Sequence, residues 1–112
     1  MAAKNTLTKA PPFAVEQSLK KLGANLRLAR VRRGFTIQKV AEKIGTGVRA
    51  VADAEHGKVS TSVSVYVALL WLFGLMADFE LVADPERDAE GSQLARRKEP
   101  ARARAGALDN DF

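Results

Sequence analysis

The stretch "TIQKVAEKIGTGVRAVADAEHG" (residues 36–57) is divided by glycines into two segments of nearly equal length. Thr36 is a suitable N-cap for the first, Ile37–Ile44, because a hydroxyl there can accept from a free amide of the opening turn. Val40, Ala41 and Ile44 fall on one side at helical spacing, and Gly45 ends the segment. A second helix is expected from about Val48 to His56. It would turn Val51, Ala54 and Glu55 inward and stop at Gly57. The connection, with Gly45 and Gly47, is a tight turn.

Upstream, "FAVEQSLKKLGANLRLARVRRG" (13–34) places Val15, Leu19, Leu22, Leu26 and Ala29 at helical spacing. Its last turn gathers Arg30, Arg32 and Arg33, which suit the negative end of a helix, before Gly34 stops it. Downstream, "KVSTS" reads as a loop. Ser62 is the expected N-cap of a strongly apolar helix running to Phe73, with Val63, Tyr66, Leu70 and Phe73 inward and Gly74 as its stop. "LMADFELVADP" (75–85) fits a short helix or an extended strand equally, because so few residues carry no decisive period.

Residues 1–12 form an expected loose arm ending at Pro11-Pro12. From Asp84 onward the only large apolar residues are Leu94, Leu108 and Phe112, a composition that predicts a mostly disordered tail. The expected organisation is an arm (1–12), an all-α domain (13–83) and a polar tail (84–112).

The chain has 112 residues and 46% apolar composition, enough for one domain with a core. It has no cysteine, and its single His56 cannot alone build a metal site or a catalytic triad. No glycine-rich phosphate loop is present either, so an enzyme is not expected, nor any cofactor. No apolar run approaches the roughly 18 residues of a membrane span, and no leader-type segment opens the chain. The expected location is the cytoplasm. Charge is distributed unevenly: residues 1–60 sum to +8, residues 61–84 to −3 and residues 85–112 to zero. The N-terminal half thus carries a field suited to a polyanion.

Two short helices across a tight turn have the spacing of a helix-turn-helix, in which the second helix fits a groove about 12 Å wide. The same spacing also describes an ordinary helical hairpin in a small bundle. Residues 22–58, "LGANLRLARVRRGFTIQKVAEKIGTGVRAVADAEHGK", resemble the five-helix, lambda-repressor-like domain of the XRE (Cro/C1-type) family. The matching pieces are the Leu-Gly opening, Arg30, Arg33-Gly34, Thr36-x-x-x-Val40-Ala41, Gly45 and Glu55-x-Gly57. The resemblance implies an ion pair between Arg30 and Glu55. It also implies a groove-facing set for base readout at Gly47, Val48, Arg49, Ala52 and Asp53.

Arg49 suits bidentate contact with guanine, or a phosphate contact. Val48 or Ala52 suits a thymine methyl. Asp53 suits a cytosine amine, or the orientation of Arg49. Thr36, Gln38, Lys39, Lys58, Ser60 and Ser62 are the candidate phosphate contacts. Two positions depart from the family pattern: Ile37 stands where a phosphate-gripping Gln is common, and Gly47 where the cap is commonly Ser.

More narrowly, "YVALLWLFGL", "DFELVADPERD" and "RRKEPARAR" are similar to HipB-like antitoxins. That likeness implies a homodimer on a palindromic double-stranded operator, autorepression, and docking of a HipA-like kinase toxin. Trp71 lies off the expected inner stripe of its helix. With Leu72, Leu75 and Phe79 it would make an apolar patch suited to an interface, or it would cover the core from one side. Alternatives to the antitoxin reading are a stand-alone repressor and a protein-interaction module with a degenerate helix-turn-helix. The arginine-rich tail could touch DNA nonspecifically, fold on a partner, or stay solvated.

Overall fold

A computed structural model describes residues 5–106, with their side chains as far as Lys98. The chain order is α1 (Thr6–Lys9), α2 (Phe13–Arg32), α3 (Ile37–Ile44), α4 (Val48–Glu55), α5 (Val63–Leu72), α6 (Met76–Phe79), a 3-10 turn (Pro85–Arg87) and α7 (Ala89–Gly106). The fold is all-α, with no strand among the described residues. Two compact units divide at Phe79 and Glu80.

The first unit is built around one core. Leu26 and Ala29 come from α2, Val40 and Ala41 from α3, Val51 and Ala54 from α4, and Tyr66, Leu69 and Phe73 from α5 and its C-cap. Leu26 and Leu69 are almost fully enclosed, each worth about 1.5–3 kcal/mol of apolar burial. Local chemistry sets the helix ends. Thr36 Oγ1 accepts from Lys39 N at 3.0 Å and Ser62 Oγ from Ser64 N at 3.1 Å, starting α3 and α5. Gly45, at φ 81°, closes α3, and the amides of Gly45 and Thr46 both donate to Ala41 O at 2.9 Å.

Where α2 crosses the end of α4 there is no side chain between the backbones. A Cβ on Gly23 would lie 2.5 Å from Ala54 O and 2.6 Å from Glu55 O. Gly57, at φ +69°, is pressed against the Leu19 and Lys20 backbone. Both positions require glycine, one for space and the other for space and conformation.

Several sequence expectations change. In α5, Val63 is exposed and Leu69 takes its place in the core, while Leu70 is half-buried. This helix is apolar all round, so no periodic signal marks its inner face. Val15 in α2 is also exposed, because the core begins only at Leu19 and Leu22. The ambiguous segment after Gly74 resolves into α6 followed by turns. The arm contains the single-turn α1, capped by the Asn5 side chain.

In the second unit the backbone from Ala89 to Gly106 is helical, where the composition suggested mostly disorder. Its described side chains from Ser92 to Lys98 are all exposed, so packing does not hold that stretch. Ala, Glu, Gln, Leu, Arg and Lys favour it intrinsically, and Asp88 Oδ1 caps it by accepting from Gly91 N at 3.0 Å. Leu108 and Phe112 lie outside the described residues.

Candidate nucleic-acid interface

α4 owes its orientation to its inner face. Val51 and Ala54 enter the core, and Glu55 reaches back to α2. Arg30 Nε donates to Glu55 Oε2 at 2.6 Å and Nη2 to Oε1 at 3.1 Å, while Nη1 donates to Phe35 O at 2.9 Å. The two side chains are 11% and 6% exposed. The Glu55 hydrogen bond outweighs desolvation and pushes the Arg30 pKa up, holding the guanidinium charged.

The remaining face of α4 carries the groove-facing candidates. Gly47, Val48 and Arg49 are exposed, and Ala52 and Asp53 are half-buried. Arg49 makes no ion pair among the described residues. Asp53 faces Lys58 and not Arg49: its Oδ2 lies 3.8 Å from Lys58 Nζ. The turn through Gly57 brings this about, since Lys58 N donates to Asp53 O at 3.0 Å. Tyr66 Oη then donates to Lys58 O at 2.9 Å, and burial pushes the Tyr66 phenol pKa up. Lys58 is thus anchored to both α4 and α5.

Around this helix, Thr36, Gln38 and Lys39 are exposed at the start of α3, and Lys58, Ser60 and Ser62 in the loop after α4. Ile37 is half-buried against the core, so the polar role at the opening of α3 falls to its neighbours. Asp53, Lys58 and Ser60 share a cleft of about 440 Å³ with Lys9 and Lys20, two bases that spacing alone does not bring near α4. The α3 candidates do not line that cleft.

The family model for the helix-turn-helix domain matches residues 21–81, just over half of the 112-residue chain. The chain belongs to the helix-turn-helix family. No curated protein and no solved structure matches it. In this helix-turn-helix protein the matched span runs from within α2 past α6 and so contains α3, the tight turn and α4.

On the other exposed surface of the helix-turn-helix unit, Trp71 is 63% exposed. It borders a groove of about 650 Å³ with Val63, Val67, Ala68, Met76 and Phe79. The four-residue patch expected from sequence is only half assembled there. Trp71 and Phe79 share the groove, whereas Leu72 packs on the core and Leu75 lines a separate cleft with Leu28 and Arg32. No helix among the described residues is long and apolar enough to cross a membrane.

Proposed function

We propose that this protein is a sequence-specific transcriptional regulator that binds a palindromic operator as a homodimer in the cytoplasm. The observation carrying this reading is the exposed face of α4, where Arg49 stands without a carboxylate partner among the described residues. On this reading Arg49 pairs with guanine O6 and N7, and Val48 and Ala52 meet thymine methyls. Thr36, Gln38 and Lys39 on one side, and Lys58, Ser60 and Ser62 on the other, hold phosphates and fix the register. The apolar groove at Trp71 joins two copies, setting their α4 helices about 34 Å apart.

The finer reading is an antitoxin that neutralises a HipA-like kinase and represses its own operon. It is supported by the likeness of "YVALLWLFGL" and the segments after it to HipB-like proteins. The exposed described side chains of α7 from Ser92 to Lys98, available to a partner, also favour it.

Fluorescence anisotropy on duplex from the region upstream of the gene tests the main reading. Wild type is expected to prefer that duplex to a scrambled one and to weaken with salt, and Arg49→Ala to lose the preference, a discrimination of about 1–3 kcal/mol. Equal binding to both duplexes by wild type would refute it. Co-purification with a kinase encoded beside the gene tests the antitoxin reading.

A further inference from the structure

We propose that the Asp53–Lys58 pair sets the contrast between operator and bulk DNA, by withholding a phosphate contact until α4 is seated. This rests on the reading that α4 enters the groove. A helix lying on arbitrary DNA gains only from neutralising phosphates. In the free protein Lys58 Nζ sits 3.8 Å from the Asp53 carboxylate. A phosphate approaching Lys58 there meets a compensated charge with a carboxylate behind it. Asp53 lies one helical turn after Arg49, on the half-buried edge of the groove-facing set.

The exchange needs little rearrangement. Lys58 is fixed at its backbone on both sides, its amide bonded to Asp53 O at 3.0 Å and its carbonyl to Tyr66 Oη at 2.9 Å. Only its side chain has to swing. The pair it leaves is weak, because the Lys58 side chain is 54% exposed and exposed pairs are screened by water and salt. Once Arg49 docks on its base, Asp53 is carried toward the base edges, where a cytosine amine accommodates a carboxylate. Lys58 is then released to the backbone phosphate. Out of register the pair stays closed, and Lys58 offers the strand no free charge. Asp53 is in this sense a specificity-determining residue acting through Lys58.

The test compares wild type, Asp53→Asn, Lys58→Ala and the double variant by anisotropy across a salt series. The probes are a duplex selected from a random library by the wild-type protein and a scrambled duplex of the same composition. One additional phosphate contact steepens the salt slope by about 0.9, roughly an eightfold gain per tenfold drop in salt.

Asp53→Asn is expected to tighten the scrambled duplex about two- to fivefold at 0.1 M salt and hardly at all at 1 M, the range an exposed pair allows, lowering the selected-to-scrambled ratio. Lys58→Ala is expected to weaken the selected duplex much more than the scrambled one. In the double variant the gain on scrambled DNA should vanish. Equal tightening of both duplexes by Asp53→Asn, or a gain that survives in the double variant, would overturn the proposal and leave the α4 reading intact. A wild-type protein that selects no duplex sinks both. Thermal melting checks folding, and both substitutions keep the backbone bonds that hold the turn.

Discussion

Replacing Glu55 by alanine removes the only carboxylate that meets Arg30 among the described ion pairs. Two charged hydrogen bonds, at 2.6 and 3.1 Å, are lost together. Arg30 keeps its bond to Phe35 O, but its side chain, 11% exposed in the intact pair, is left with one end of its guanidinium unpartnered. Breaking a fully buried pair costs about 3–5 kcal/mol, and the residual exposure places this one near the lower end, about 3 kcal/mol. For a domain of this size that corresponds to a Tm fall of roughly 12–24 °C.

The assay is urea unfolding followed by far-UV circular dichroism, with a double variant Arg30→Met/Glu55→Met beside the single one. Because much of the single-variant cost is a stranded charge, the apolar pair should recover most of the lost stability. If Glu55→Ala costs less than about 1 kcal/mol, or if the double variant is as unstable as the single, then the pair does not lock α2 to α4.

Gly23→Ala should destabilise the first unit by about 1–3 kcal/mol, because the added methyl meets backbone at 2.5–2.7 Å and only a shift of α2 against α4 relieves it. Denaturant titration reads the stability, and loss of operator preference at a temperature where the variant is folded reads the shift. Tyr66 adds a dependence on alkaline pH. Its folded pKa is raised above the ordinary value of 10.0, so the folded state binds more protons once the unfolded phenol ionises. Stability should therefore fall as pH rises from about 10 toward the folded value. Absorbance at 295 nm follows this single tyrosine directly, and Tyr66→Phe should remove the dependence while losing about 1 kcal/mol with the bond to Lys58 O. If the Trp71 groove joins two copies as proposed, Trp71→Ala should shift the protein toward monomer in analytical ultracentrifugation without lowering its helix content. An unchanged dimer would place the subunit contact elsewhere.

Helix boundaries in the first unit were legible because their signals are local. Thr36 and Ser62 cap with their own hydroxyls, and Gly45 ends α3 in the left-handed conformation that glycine adopts freely. The inner face of α5 was not legible, since "VSVYVALLWL" is apolar at nearly every position and only the neighbouring helices select Tyr66 and Leu69 over Val63. α7 was hidden for the opposite reason. It has Leu94 as its one large apolar side chain, so a reading based on burial missed a helix whose start is set by the Asp88 cap. That residues 47–49 are exposed at the start of α4 could be read from the motif, but the partner of Asp53 could not. That pairing depends on how the turn at His56 and Gly57 folds Lys58 back, a property of backbone geometry and not of spacing.

The bare backbone crossing of α2 and α4 at Gly23 and Gly57 has a consequence for engineering. The pose of α4 is fixed from behind, by glycine contacts, the Arg30–Glu55 fork and two buried side chains. None of those supports lies on the exposed positions 48 and 49. A library randomised at these two positions, with the half-buried Ala52 kept, would vary the chemical surface of the helix while leaving its mounting untouched. The fold thus supplies a socket into which a new surface chemistry can be written, provided that the alphabet avoids proline and glycine within the helix.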